Sequence, residues 1–288
     1  MLTLKAFAKV NLALEVLARR VDGYHDIASI MQTVSLYDVL TLEPAGHITL
    51  KSSLPGIPDH DNIILKAARR LSEATGCGRG AMIGLEKNIP MDAGLGGGSS
   101  DAAAVLSGLN RLWQLAISAE QLAAIGAGLG SDVPFFIYGG TCLIEGKGER
   151  VTPLPDFEQS WFVLLRPDLT ISSGKTARLY SLVSPGHYSS GGLTTGIREQ
   201  IECGGQRKPV SVYNVFEKVV SDAYPGLVKY IEEFRRAGAP EVHLAGSGPV
   251  LFTLLRDGKL ASDIHANLLA GGLESYLATS VGRQEIGC

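Results

Sequence analysis

Apolar and polar residues alternate through much of the first fifty positions, and ITLK at 48–51 repeats that pattern between breaks rich in Pro and Gly, so this stretch reads mostly as strands. The period then lengthens. DNIILKAARRLSEATG, 61–76, predicts a helix in which Leu65, Ala68 and Leu71 share a face, with Asp61 as N-cap and Gly76 as stop. AMIGLEKNI, 81–89, predicts a strand. SSDAAAVLSGLNRLWQL, 99–115, predicts an Ala-rich helix with Ala103, Leu106, Leu109 and Trp113 at helical spacing. Ser118 and Gln121 form a capping-box pattern for a short third helix. FFIYGGTCLIEGKGERVTPL, 135–154, reads as hairpin strands with Gly turns.

The order restarts after a break near 153–156. A strand at 161–167 leads to a helix around 174–183, and SPGHYSSGG at 184–192 carries no periodicity. Helices are expected near 211–222, 226–237 and 259–270, a strand pair around AGSGP at 245–249, and a last strand at SYLATSV. Strands and helices mix without strict alternation, which predicts an α+β protein of two lobes, 1–153 and 154–288.

Composition narrows the class. A chain of 288 residues with 45% hydrophobic and 19% charged residues is globular and able to bury a sizeable core. A net charge of −3, with scattered Lys and Arg, offers no broad basic face for nucleic acid. Cys77, Cys142, Cys203 and Cys288 are far apart and form no C-x-x-C pair, which argues against a zinc site or disulfide framework and for reduced thiols in the cytoplasm. The apolar N-terminus is interrupted by Lys9, Asn11 and Glu15 and lacks a signal-peptide cleavage pattern, and no apolar run is long enough to span a bilayer. Nothing marks a subunit interface.

The densest chemical signal is PMDAGLGGGSSDAAA, 90–104. Gly94, Gly96, Gly97 and Gly98 precede a helix whose first N–H groups lack intrahelical partners and carry the positive end of the dipole. Glycines let a ligand approach that backbone closely, so the stretch is a cradle for phosphate oxygens. Ser99 and Ser100 are placed to cap the helix, to contact phosphate or to touch bound magnesium. The plainer alternative is a flexible linker ahead of a helix. No Lys follows the glycines, so this is not a P-loop, and Ser99 fills the third glycine position of the dinucleotide fingerprint. Gly174-Lys175-Thr176 looks like the end of a P-loop, but the first glycine of that pattern would fall at Leu169.

Pro90 followed by the Gly-Leu-Gly-Gly-Gly-Ser-Ser run resembles the second signature of the GHMP kinase superfamily. AKVNLALEVLARRVDGYHDI, 8–27, resembles the opening of the branch that acts on 4-diphosphocytidyl-2-C-methyl-D-erythritol. GSDVPFF, 130–136, resembles the branch's G-x-D-V-P-x-F segment, and AGSGP resembles the third superfamily motif. These landmarks follow the family's order from residue 8 to residue 252.

The resemblance implies a two-lobed GHMP kinase fold with the active site in the cleft between lobes. It implies ATP-dependent phosphorylation of the substrate's 2-hydroxyl, a step toward isoprenoid precursors. Magnesium would arrive with ATP, since no carboxylate cluster marks a dedicated metal site. Asp132 would take the hydroxyl proton and Lys9 would orient it and offset charge on the transferring group. Without the resemblance, Lys9 reads as a solvated strand lysine and Asp132 as a cap. His25 would hydrogen-bond the cytosine edge, with Tyr24 stacked on the ring and Tyr180 on its other side, while Asn11 supports the methylerythritol end. Asn62 and Lys87 would serve the adenine and ribose, beside the cradle of Gly94, Leu95, Gly96, Gly97, Gly98, Ser99 and Ser100; as residues alone, Asn62 and Lys87 read equally as surface polar groups. Asp101 either suits the helix dipole or faces the triphosphate through magnesium. The rivals are a GHMP kinase for homoserine, mevalonate or a sugar, which has no cytosine to read, and a nucleotide-binding sensor without catalysis.

Overall fold

Alternation in the first half folds into a long antiparallel ribbon. In the computed structural model, which describes residues 1–52, 62–170, 174–204 and 210–286, β1 (Leu2–Arg19) pairs with β2 (His25–Ala45), Leu2 opposite Leu42 and Arg19 opposite His25. There follow β3 (Thr49–Ser52), α1 (Ile63–Thr75), β4 (Gly80–Glu86), α2 (Gly97–Trp113), α3 (Ala119–Ala127), α4 (Val133–Tyr138), β5 (Thr141–Gly146) and β6 (Arg150–Pro153). The second half supplies β7 (Trp161–Arg166), α5 (Lys175–Leu182), α6 (Gly192–Glu202), β8 (Tyr213–Asn214), α7 (Val220–Ala223), α8 (Leu227–Arg236), β9 (His243–Leu244), β10 (Leu251–Leu255), α9 (Gly258–Ala270) and β11 (Glu274–Thr279).

Two sheets organise these elements. The first runs β3-β4-β2-β1-β8, and β5, carrying β6, pairs with β2 at the end that β4 leaves free. β8 comes from the second half yet pairs in parallel with β1 at Ala13 and Leu14. The second sheet runs β11-β7-β10-β9. One core packs Leu40, Leu42 and Ile83 with Leu65 and Leu71 of α1 and Leu106 and Leu109 of α2. A second gathers Ala8, Val10 and Leu12 of β1 with Phe162, Leu164 and Phe252 of the second sheet. Side chains alternate across a strand, so Lys9 and Asn11 turn away from that second core. A bulge lies between Asn11 and Ala13, where it re-aims the strand beside the polar pair.

Several boundaries differ from the pattern. Asn62, rather than Asp61, caps α1, its Oδ1 accepting the N–H of Ile64 at 2.9 Å; Asp61 lies outside the described residues. Residues 133–138 are helical, because Pro134 starts a turn of helix and Gly139, at φ +62°, ends it before β5. The expected helix near 211–222 breaks into β8, a 3₁₀ turn at Val215–Lys218 and α7. Buried Asn214 forces that break: its Nδ2 donates to the carbonyls of Leu244 and Gly246 while its Oδ1 accepts from the Phe216 amide. Helix α6 was not expected. Its Gly and Thr residues weaken the propensity, and its first turn is held by Glu15 of β1, whose Oε2 accepts the Thr194 N–H at 2.7 Å. No described helix is long and apolar enough to cross a membrane.

Candidate active site

The end of β4, the glycine run, α4, α5 and the turn between β9 and β10 converge on one cleft of about 1930 Å³. Its wall includes Lys9 and Asn11 of β1, Gly94, Gly96, Gly97, Gly98 and Ser99, Asp132, Tyr180, and Gly246 and Ser247. Residues of both chain halves therefore face the same space.

The glycine run wraps rather than links. Lys9 N–H donates to the Leu95 carbonyl at 3.0 Å and Val250 N–H to the Ala93 carbonyl at 3.3 Å, pinning the loop to β1 and to the strand-leading turn. Gly96 is the N-cap of α2 at φ +74°, and a Cβ there would lie 2.7 Å from the Phe136 ring and 3.2 Å from Lys9 Cγ. No side chain caps α2, so its first amides open to the cleft with the positive end of the helix dipole behind them. Of the roles open to Ser99 and Ser100, capping is therefore not the one observed. Ser99 lines the cleft, whereas Ser100 is buried on the far side of α2 beside Lys5 and Phe7. Leu95 contributes its carbonyl; its side chain is buried in the second core.

The lysine and aspartate predicted from opposite ends of the first half meet here. Lys9 Nζ lies 3.7 Å from Asp132 Oδ2 and donates to Asn11 Oδ1 at 2.8 Å. Asn11 in turn donates to Ser29 Oγ at 2.8 Å, a partner on β2 that sequence pattern did not single out. Asp132 occupies the N-cap position of α4 but makes no cap hydrogen bond, which leaves its carboxylate turned toward Lys9. Burial holds the Lys9 ammonium below the usual lysine range, opposed by the charge of Asp132 and by the hydrogen bond that Lys9 donates to it.

Beneath the cradle, Lys87 is gripped by two carboxylates. It forms ion pairs with Asp38 and, at 2.8 Å, with Asp101, and all three side chains are nearly inaccessible. Asp38 also accepts the Asn88 and Ile89 amides at 2.6 and 2.8 Å, tying β2 to the strand exit. Burial pushes the Asp101 carboxyl up to about 7, Lys87 opposing and Asp38 adding to the shift, and Asp101 Oδ1 has no partner. Asp101 thus sits in the second turn of α2, paired with Lys87 at the cleft wall. Asn62 lines the cleft while capping α1.

An aromatic wall closes the other end. The His25 ring stacks on Tyr180 at 5.1 Å with 15° between planes, and Tyr188 meets it edge-on at 6.3 Å. Tyr180 packs edge-on against Phe216 at 4.9 Å. Burial pushes the Tyr180 hydroxyl up to about 12, and burial with nearby Arg19 lowers His25. Tyr24 is 60% exposed at the rim, with Lys147 Nζ 4.9 Å above its ring, while Tyr180 is stacked on His25 itself. Tyr188 lies in a segment without a legible pattern, and Phe216 in a stretch read as helix with no role at the site.

The family model described as GHMP kinases N terminal domain matches residues 62–140, and that described as GHMP kinases C terminal matches 204–272. A 4-diphosphocytidyl-2-C-methyl-D-erythritol kinase of Dehalococcoides mccartyi is 47% identical over 98% of this chain and 99% of its own. Its counterpart in Symbiobacterium thermophilum is 42% identical over 88% of this chain and 90% of its own. A crystal structure of 4-(cytidine 5'-diphospho)-2C-methyl-D-erythritol kinase superposes with a TM-score of 0.82 at 33% identity, covering 98% of this chain and all of that one. Homoserine kinase from Cytophaga hutchinsonii shares the fold, at TM-score 0.70 and 19% identity, over 99% of this chain and 98% of that one.

Proposed function

The chain belongs to the GHMP kinase family, and we propose that it transfers the γ-phosphate of ATP to the 2-hydroxyl of 4-diphosphocytidyl-2-C-methyl-D-erythritol in the cytoplasm. One observation carries the reading: Lys9 and Asp132 face each other at the edge of an uncapped helix start. Phosphoryl transfer requires alignment and charge stabilisation more than covalent chemistry. The open amides of the glycine cradle bind the triphosphate. Asp132 accepts the proton as the P–O bond forms, and Lys9 orients Asp132 and offsets charge on the transferring group. Asn11, fixed by Ser29, holds the acceptor end.

The nucleotide lies toward Asn62 and Lys87, and the cytosine toward His25 and Tyr180. A base at that aromatic wall favours this acceptor over homoserine or mevalonate, and the full-length relatives carry the matching name. Magnesium fits as a passenger on ATP. Ser99 Oγ is the hydroxyl at the cradle that would meet it, the ion would neutralise phosphate charge, and no group of three metal-ligating side chains occurs among the described residues.

A coupled ADP-release assay across 4-diphosphocytidyl-2-C-methyl-D-erythritol, homoserine and mevalonate decides the matter. Turnover is expected on the first. Turnover only on another acceptor, or ATP binding with turnover on none, overturns the reading.

A further inference from the structure

Gly174-Lys175-Thr176 fails as a P-loop, yet the fold brings it to the cleft. Lys175 opens α5, and its Nζ donates to two backbone carbonyls, those of Asp92 and Gly248. Asp92 precedes the glycine cradle and Gly248 lies in the turn after β9. Thr176 Oγ1 stands 2.9 Å from Ser247 Oγ, a second tie between α5 and that turn. The turn also reaches the catalytic pair: a Cβ on Gly246 would lie 2.8 Å from Lys9 Nζ. In the other direction, Tyr180 follows Lys175 by five residues, roughly 7.5 Å along the helix axis, and stacks on His25. The ammonium thus stands on the cleft wall linking the phosphoryl-transfer pair to the aromatic wall.

Its charge has no ion-pair partner among the described residues. An ammonium has three N–H donors, and two are given to carbonyls. Among the described residues no carboxylate pairs with it, and both neighbouring charges on other elements, Asp92 and Lys9, act on it from a distance. Burial and Lys9 bring it down to about 8, against the pull of Asp92. A half-buried cation with a spare donor is stabilised by an arriving anion. The proposed acceptor carries such an anion between its base and its hydroxyl.

We infer that Lys175 is a specificity-determining residue: it clamps the glycine cradle to the β9–β10 turn and gives its remaining N–H to the diphosphate of the acceptor. This rests on the proposed function and names the group that reads the acceptor's central portion.

The test uses Lys175→Gln, which keeps an N–H donor without charge, together with Lys175→Met and Lys175→Arg in the full chain. Calorimetry with CDP and with cytidine as probes reads the diphosphate contact, and steady-state kinetics read KM for each substrate. The Gln and Met variants should lose roughly tenfold to hundredfold in the preference for CDP over cytidine, with KM for ATP within about threefold of wild type and Arg restoring most of the preference. An unchanged preference overturns the inference, as does an equal rise in both KM values, which would leave only the clamp. Should Met prevent folding, Gln and Arg decide between these outcomes. If wild type fails to turn over the cytidine substrate, the proposed function fails instead, a result visible before any variant is made.

Discussion

Lys9 Nζ stands 3.7 Å from Asp132 Oδ2 at the cleft floor, while Asp132, at the start of α4, caps no amide of its own helix. A carboxylate in an N-cap position usually satisfies the helix. Here the backbone forgoes that bond and the side chain serves the cleft. Asp132→Asn should therefore fold with near-wild-type thermal stability and bind ATP with little change. Its kcat should fall by about 10²–10⁴, the range of a lost general base. Steady-state kinetics beside a melting curve check this, and near-normal turnover removes the proposed role.

Gly96, the N-cap of α2, and Gly98, in its first turn, allow packing and the proposed phosphate binding to be tested separately. Gly96 has φ +74° and faces the Phe136 ring, so Gly96→Ala should cost about 1–3 kcal/mol and lower Tm by several degrees. A Cβ on Gly98 meets only Ile63 Cγ2, at 3.8 Å. Gly98→Ala should melt like wild type and still raise KM for ATP, because the added methyl enters the phosphate cradle. A Gly98→Ala protein with unaltered KM would place the phosphates elsewhere.

The glycine run at the start of α2 was legible because its signal is local, glycine density before an Ala-rich helix, whereas the approach of Lys9 to Asp132 was expected only from the family resemblance. What was illegible depends on distant partners. Lys87 reads as a surface lysine until Asp38 of β2 and Asp101 of α2 close on it. Asn214 interrupts an expected helix only because the carbonyls of Leu244 and Gly246 await its amide. Helix α6 forms against propensity because Glu15 holds its first turn. Leu169 breaks the P-loop pattern ahead of Gly174-Lys175-Thr176, and nothing local signals that Lys175 reaches the Asp92 and Gly248 carbonyls.

Asp101 ties stability to pH. Its carboxyl is pushed from 3.8 up to about 7, chiefly by burial. Between these values the folded chain holds a proton that the unfolded chain has released, so stability falls as pH rises through the window. The favourable contribution is complete below 3.8 and gone above about 7. Asp101→Asn removes that proton difference while its side-chain oxygen can still accept from Lys87. Denaturant midpoints measured from pH 5 to 7 should decline less steeply in Asp101→Asn than in wild type. Identical slopes would mean that Asp101 is ionised throughout.

The stack of His25 on Tyr180 gives the last test. Stacking on Tyr180 fixes the orientation of the imidazole, and a neutral imidazole offers one donor and one acceptor. One ring nitrogen can meet a single atom of the cytosine edge, as an acceptor taking the amino N–H. Burial and Arg19 lower the His25 pKa below its ordinary 6.5, so the ring is neutral at pH 7 and stays so on alkalinisation. His25→Ala should then raise KM for the cytidine substrate by tenfold or more and leave KM for ATP nearly unchanged, since a buried hydrogen bond and a ring contact are lost together. Wild-type KM for that substrate should be flat above pH 6.5 and rise only in more acid solution, as protonation replaces the acceptor with a second donor. Equal increases in both KM values for His25→Ala would make the ring a packing element rather than the reader of the base.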